Sequence, residues 1–151
     1  METKIKQEKG LQFESYIMDY FAKHKNISLS HYTTYQEQID LGENRQGIEI
    51  KNDQRFQDTK NLFISVERDY GYVKYPSGIY KNQSWLYVIG NQDVFYIFAT
   101  KHLKQYFENK KPILFEGFKT VKNGVDKGFL LSQKDADIMC IEKVTTQTKL
   151  F

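Results

Sequence analysis

The sequence predicts an α/β domain, with a sheet flanked by helices, and two observations carry that prediction. Residues 8–24 carry apolar and aromatic side chains at helical spacing, namely Phe13, Ile17, Tyr20 and Phe21, and end in lysines that suit the helix dipole. The segments SWLYVIG and VFYIFA are nearly continuous apolar runs joined by a short polar turn, which predicts a hairpin of two buried central strands. At 151 residues, one domain spanning residues 1–151 is expected.

The amino-acid composition indicates the cellular compartment of the protein more clearly than its function. The net charge of +3 and the isoelectric point near 8.8 permit a nucleic-acid partner without requiring one. The single cysteine, Cys140, excludes an internal disulfide and a Cys-rich zinc cluster, and it favours a reducing compartment. The polar start METKIKQEKG and the short apolar runs predict a soluble, cytoplasmic protein with no membrane partner.

The remaining elements follow in chain order. The segments SHYTTYQEQID and QGIEIKND alternate around the turn-like LGENRQ, which predicts a hairpin with Asp40 on its approach and Glu49 on its return strand. NLFISVERD is a predicted strand, and YGYVKYPSGIYKNQ is a predicted long loop. Thr100 is the predicted N-cap of the helix KHLKQYFEN. The tail is predicted to combine a Gly-rich hairpin with a short terminal helix capped near Ser132.

The candidate site begins on the strand QGIEIKND. In an extended strand Ile48 and Ile50 share one face, while Glu49 and Lys51 share the other, roughly 7 Å apart. An ordinary half-buried strand explains this alternation equally well. The predicted hairpin brings Asp40 close to Glu49, and two converging carboxylates with a main-chain carbonyl suit Mg²⁺. Such a site activates water for attack on a phosphodiester, with Lys51 stabilising the developing negative charge.

Glu14 is a second unusual carboxylate. On a helical wheel it falls inside the apolar arc of the first helix, where a lone charge is costly unless another group satisfies it. Two interpretations remain open. Glu14 either extends to solvent at the rim of the apolar face, or it reaches the metal site or its water molecules from the helix.

These residues resemble the PD-(D/E)XK nuclease superfamily. The resemblance rests on the helix bearing Glu14, on Asp40, and on Glu49-Ile50-Lys51. It extends through IEIKNDQRFQDTKNLFISVERDYGYVKYPSGIYKNQSWLYVIGN and VFYIFATKHLKQY, over about residues 10–110, and is similar to small members from bacteriophages and mobile elements. It implies a restriction-endonuclease-like core with a central mixed β-sheet flanked by helices. The implied activity is a Mg²⁺-dependent deoxyribonuclease, either an endonuclease or a structure-specific nuclease, in which Mn²⁺ is expected to substitute.

The same resemblance assigns roles to individual residues. Asp40 and Glu49 would be metal ligands, the Ile50 carbonyl a third ligand, and Lys51 the catalytic lysine. Glu14 is a candidate catalytic group because of its place on the helix and not because of the resemblance. Because QID stands where the family name has proline-aspartate, Glu43 and Asp53 are alternatives to Asp40. Asn61 and Glu67 match the strand that follows in the family, without an assigned role.

DNA contact is expected in the loop at residues 70–81. Lysines fix phosphates and tyrosines stack on exposed bases, so the candidates are Lys74, Tyr75 and Lys81, with Ser77 and Gly78 allowing close approach of the backbone to a phosphate. YPSG as a simple turn is the alternative. A second candidate surface is formed by Lys119, Lys122 and Lys127.

The expected partner is DNA, and a homodimer is the simplest way for one site per protomer to cut both strands of a duplex. Two other functions remain open. The chain is alternatively a catalytically silent relative that binds nucleic acid, or a phage accessory protein whose charged strand face is only solvated.

Overall fold

The chain folds into two four-stranded sheets flanked by helices. The computed structural model describes residues 2–81, 83–119 and 124–146. The helices are α1 (Glu2–Tyr20), continued by a π-helical turn at Phe21–Lys25, then α2 (Tyr35–Leu41), α3 (Phe56–Thr59), α4 (Thr100–Lys110) and α5 (Gln133–Met139), with a 3₁₀ turn at Gly78–Tyr80. The strands are β1 (Ile48–Asn52), β2 (Asn61–Asp69), β3 (Lys74–Pro76), β4 (Leu86–Gly90), β5 (Val94–Ala99), β6 (Phe115–Lys119), β7 (Val125–Ser132) and β8 (Glu142–Thr145).

The strands divide into a mixed sheet and an antiparallel sheet. The first sheet has the order β1-β4-β5-β8, in which β1 runs parallel to β4 and the other neighbours are antiparallel. The second has the order β3-β2-β7-β6 and is antiparallel throughout. The predicted α/β class is therefore confirmed, but the strands do not form one central sheet. Strand β2 pairs with β3 on one side and β7 on the other, so it has no edge left for the first sheet.

The mixed sheet is buried on both faces. One face packs against α1 through Phe13, Ile17, Phe21, Ile48, Ile50, Val88 and Phe95. The other face packs against the antiparallel sheet and α4 through Leu62, Ile64, Tyr87, Ile89, Tyr96, Phe98, Leu103 and Phe129. Because side chains alternate along a strand, Glu49 and Lys51 lie on the face of β1 that is turned toward the second sheet.

The predicted strand over SHYTTYQEQID is wrong, because its second half is the helix α2. A capping box begins this helix: the Thr34 side chain accepts a hydrogen bond from the Glu37 main-chain N–H at 3.1 Å, and the Glu37 carboxylate accepts one from the Thr34 N–H at 3.0 Å. The predicted hairpin is reduced to an isolated bridge between His31 and Asn44. Asp40 consequently lies on a helix and not on a strand.

The other predicted elements are mostly confirmed. The first helix, the strand β2, the β4–β5 hairpin, the β6–β7 hairpin and α5 are present, and the Ser132 hydroxyl caps α5 by accepting from the Asp135 N–H at 3.1 Å. Thr100 is not an N-cap. Strand β5 runs directly into α4, so Ala99 occupies the cap position and Thr100 is the first helical residue. Strand β8 was not predicted, and the predicted loop at residues 70–81 contains β3 and the 3₁₀ turn.

Within residues 2–81, 83–119 and 124–146, no helix combines the length and the apolar character needed to cross a bilayer.

Candidate active site at the open edge of strand β1

Strand β1 is the edge strand of the mixed sheet, and a single side chain occupies much of its free edge. The buried Asn44 amide accepts a hydrogen bond from the Ile48 N–H at 3.0 Å and donates one to the Ile48 carbonyl at 2.7 Å. These are the two bonds that a neighbouring strand would otherwise make. The main chain of Ile48 therefore points away from β4, toward the open edge.

Glu43 is bound to the same edge, two residues further along. Its carboxylate accepts a hydrogen bond from the Ile50 N–H at 3.1 Å. Since alternate residues of a strand direct their N–H and C=O groups to the same side, the Ile50 carbonyl points toward this edge as well. A carboxylate and a main-chain carbonyl are thus brought together beside Glu49 and Lys51.

Glu49 and Lys51 form an ion pair on the face of β1 that is turned toward the second sheet. Lys51 Nζ lies 2.9 Å from Glu49 Oε2, and the side chain of Glu49 is 4% exposed while that of Lys51 is 41% exposed. Desolvation acts to lower the pKa of Lys51, but the charges of Glu49 and Glu43 outweigh it and raise this pKa above its ordinary value. Lys51 is therefore a fixed positive charge with access to solvent.

Negative charge is in excess around this lysine. Desolvation first, and then the charge of Glu49, raise the pKa of Glu43 to about 7. Glu14, half-buried on α1, adds to this repulsion, so the structure brings Glu14 near the same cluster. The single charge of Lys51 does not neutralise the carboxylates of Glu14, Glu43 and Glu49. This excess of negative charge favours the binding of a cation.

Asp40, the predicted first metal ligand, lies on α2 and is not brought to this cluster. Its side chain is exposed on α2, and its carboxylate accepts hydrogen bonds from Gln36 at 3.1 Å. Within the described part of the chain, no contact joins Asp40 to Glu49 or Lys51. The reason is the helical conformation of α2, since a strand at this place would have carried Asp40 along the sheet. Of the two alternatives, Glu43 occupies the position expected of Asp40.

Asp53, the other alternative, has a structural role. Its carboxylate accepts from the Phe63 N–H at 3.0 Å and from the Arg55 N–H at 3.1 Å, which ties the end of β1 to α3 and β2. Burial raises the pKa of Asp53, while these main-chain donors oppose that shift. Asn61 is likewise held locally, by a bond to the Thr59 carbonyl at 3.2 Å.

The donor set at the edge suits a hard divalent cation. No three His, Cys, Asp or Glu side chains within the described residues are placed to hold one ion together. Mg²⁺, however, is usually bound through one or two carboxylates and keeps several water molecules. Glu43, Glu49 and the Ile50 carbonyl provide all-oxygen ligands of that kind, and the repulsion between the two carboxylates would be relieved by the cation.

Four polar residues lie beneath this site: Ser65, Ser77, Asp126 and Tyr87. No sequence pattern indicates Ser65, Asp126 or Tyr87, whereas Ser77 is a sequence candidate for DNA contact. The Ser65 and Ser77 hydroxyls lie 2.7 Å apart, and both donate to Asp126 Oδ1, at 2.6 and 3.1 Å respectively. Tyr87, on β4, is directly opposite Glu49 and is completely buried. Strand pairing within the antiparallel sheet gathers the two serines and Asp126, and the stacking of the two sheets places Tyr87 near Asp126. No local sequence pattern encodes either arrangement.

The loop predicted to contact DNA divides into exposed and buried parts. Lys74, Tyr75 and Lys81 are exposed, and Tyr72 is 89% exposed beside them. Ser77 is buried and donates a hydrogen bond to Asp126, so the structure does not place it on the exposed surface with the lysines.

Gly78 accounts for that burial. Its φ is +56°, and a Cβ atom there would lie 1.9 Å from the Ser65 carbonyl oxygen. The glycine thus allows close approach of the loop to β2, where a phosphate had been expected.

The alternative basic surface lies beside the same strands. Lys127 on β7 forms an ion pair with Asp69 at 3.2 Å, and Asp69 is also the register partner of Lys74 on β3. Lys74 and Lys127 therefore belong to one continuous surface of the antiparallel sheet. Lys119 ends β6, and Lys122 lies outside the described residues.

Comparisons of the chain with models of known protein families, with curated proteins and with solved structures found no match.

Proposed function

We propose that this protein is a Mg²⁺-dependent deoxyribonuclease with a restriction-endonuclease-like core of the PD-(D/E)XK type. The observation that carries the proposal is the convergence of Glu43, Glu49 and Lys51 at the open edge of β1, with Glu43 bonded to the Ile50 N–H. The order of elements supports it, because α1 packs on one face of a mixed sheet and α4 lies on the other side. In this proposal Glu43, Glu49 and Lys51 correspond to the acid, acid and lysine of the family pattern, with Glu43 in place of Asp40.

Each residue then has a chemical task. Glu43, Glu49 and the Ile50 carbonyl would hold a metal ion, which would supply an activated water molecule and charge compensation at the phosphodiester. The ammonium of Lys51 stabilises the negative charge that develops on the phosphate oxygens. Glu14 on α1, whose charge acts on Glu43, would orient that water as a hydrogen-bond acceptor.

The openness of the site favours a macromolecular substrate. Two surface cavities of about 230 Å³ have Gln57 and Asp93 in their linings, and neither contains a residue of the cluster. The Lys51 side chain is 41% exposed, so a nucleic-acid backbone lying across this strand edge could reach its ammonium. Lys74, Tyr75 and Lys81 provide charges and a ring for holding such a backbone.

Cleavage of supercoiled plasmid tests the proposal. Nicking is expected with Mg²⁺ or Mn²⁺ and not with EDTA, and Glu49→Gln should abolish it. Glu116→Gln is the matched control, because Glu116 is an exposed carboxylate on β6. Plasmid binding without cleavage under any metal would favour a catalytically silent relative. Absence of both binding and cleavage would favour an accessory protein. Cleavage of RNA but not of DNA would contradict the proposal that DNA is the substrate.

A further inference from the structure

The Tyr87 hydroxyl is a buried donor without a hydrogen-bond partner. Tyr87 is 0% exposed, and its hydroxyl makes no hydrogen bond to any described residue. Burying a hydroxyl without a partner costs free energy of folding, and phenylalanine would fill the same space without that cost. A hydroxyl retained under these conditions requires an explanation.

The neighbours of this hydroxyl are the charged residues of the candidate site. Tyr87 pairs with Glu49 across the β4–β1 ladder, so the two side chains stand side by side on one face. Burial first, with the charge of Glu49 adding to it, raises the pKa of Tyr87 and outweighs the opposing charge of Lys51. The phenol therefore keeps its proton at neutral pH and acts as a donor.

Three carboxylates lie near enough to Tyr87 to raise its pKa, those of Glu49, Asp126 and Glu43, and they differ in how well they are satisfied. Glu43 already accepts a hydrogen bond from the Ile50 N–H. Asp126 already receives both serine hydroxyls and lies 4.0 Å from Arg68. The donor to the Glu49 carboxylate is Lys51, at 2.9 Å. Glu49 is nearly inaccessible to water, whereas Lys51 is partly exposed and able to turn outward. If Lys51 turns toward a phosphate, Glu49 loses its donor while it remains buried.

We propose that Tyr87 is a positioning residue, whose hydroxyl donates a hydrogen bond to the Glu49 carboxylate when Lys51 leaves it. Tyr87 keeps Glu49 in place while Lys51 engages the substrate. That Lys51 leaves Glu49 to contact a phosphate rests on the proposed nuclease function. The exchange of donors is a property of the folded chain and is measurable without cleavage.

A double-mutant cycle on thermal stability, measured in EDTA, tests the exchange. In the wild-type background Tyr87→Phe should leave the melting temperature unchanged or raise it, because the hydroxyl has no partner there. In a Lys51→Met background Glu49 has lost its ammonium, and Tyr87→Phe should lower the melting temperature by about 2–4 °C. An equal effect in both backgrounds would overturn the proposal. Lys51→Gln, a milder change, replaces Lys51→Met if the latter does not fold.

Tyr96→Phe is the matched control. Tyr96 lies on the next strand, β5, and is equally buried, but its hydroxyl donates to Asp137 at 2.6 Å. This substitution should lower the melting temperature by the same amount in both backgrounds.

Steady-state cleavage provides a second readout. Tyr87→Phe should lower kcat about tenfold and leave KM for DNA unchanged, and Tyr96→Phe should change neither. An unchanged kcat, or an effect confined to KM, would contradict a positioning role. If the wild-type protein cleaves no DNA, the nuclease proposal fails, and the stability cycle still decides the role of Tyr87.

Discussion

Glu43 accepts a hydrogen bond from the Ile50 N–H at 3.1 Å, which ties a carboxylate that follows α2 to the strand that carries Glu49 and Lys51. This contact places acidic groups from two separate elements at one sheet edge. It also means that the position of Glu43 is set by β1 itself, so the spacing between the two carboxylates is a property of the folded sheet.

Glu43, and not Asp40, is expected to bind the metal. Glu43→Gln should weaken Mn²⁺ binding by at least about 10- to 100-fold, since even residues that only support metal ligands contribute that much. Asp40→Asn is the matched control on α2 and should leave binding unchanged. Isothermal titration calorimetry with MnCl₂ measures the affinity of both variants. Weaker Mn²⁺ binding by Asp40→Asn would show that Asp40 contributes to the metal site.

The contribution of Glu43 to the free energy of unfolding in EDTA should fall as pH rises. A carboxyl whose pKa is raised by folding binds its proton more tightly in the folded state, so its stabilising effect is present below about pH 4.5 and is lost as pH rises through about 7. Because Asp53 shifts in the same direction, the comparison should be made with Glu43→Gln. Urea unfolding should show the stability of wild type falling relative to that variant between pH 4.5 and 7. A constant difference would contradict the shift.

Lys51→Ala is expected to abolish cleavage while leaving DNA affinity nearly unchanged, because Lys51 acts on the transition state. It should also cost about 1–3 kcal/mol of stability, since it leaves the buried Glu49 without a charged donor. Adding Glu49→Gln should restore most of that loss. Urea titration of both variants measures this, and full stability of Lys51→Ala alone would show that the pair contributes little.

DNA affinity should depend on the exposed lysines of the 70–81 loop. Replacing Lys74 and Lys81 with Ala should weaken binding for every sequence and reduce the slope of log K against log salt by about one per lost phosphate contact. Lys101 and Lys110, exposed on α4, give a charge-matched control pair. Fluorescence anisotropy over a salt series measures the slopes. Equal slopes for the two double variants would show that the loop does not contact DNA.

Tyr75→Ala should discriminate between substrates. Tyr75 is 55% exposed, and stacking of a ring on an unpaired base contributes about 1–3 kcal/mol, whereas a closed duplex offers no such base. Binding to single-stranded or branched oligonucleotides should therefore weaken about 10-fold or more, with duplex binding nearly unchanged. Equal loss on all substrates would assign Tyr75 to packing against Tyr70, whose ring lies 5.9 Å away.

Elements with strong hydrophobic periodicity are predicted correctly from the sequence. The prediction is wrong for a short polar segment whose conformation depends on side-chain hydrogen bonds. The apolar runs of β4 and β5 and the apolar face of α1 were identified correctly. The segment before Asp40 alternates like a strand, yet Thr34 and Glu37 form a capping box, a helix signal that was readable from Thr-Tyr-Gln-Glu. Recognising it would have removed Asp40 from the predicted sheet.

The candidate site was predicted in part for the same reason. Glu49 and Lys51 follow from alternation within one strand, which is local information. The selection of Glu43 depends on a hydrogen bond across seven residues, and the position of Tyr87 depends on a parallel pairing of strands 38 residues apart. Neither contact leaves a trace in residue spacing.

Asn44 has a consequence for how the protein behaves at high concentration. An unpaired edge strand is a template onto which a strand of another molecule can add, and β1 is rich in isoleucine. By satisfying both main-chain groups of Ile48, the Asn44 amide removes the first rung of that template, and Glu43 removes the next N–H. The β1 edge therefore cannot pair readily with a strand of another molecule, although it still carries the candidate site. A chain without the Asn44 amide would be expected to form intermolecular β-structure and precipitate.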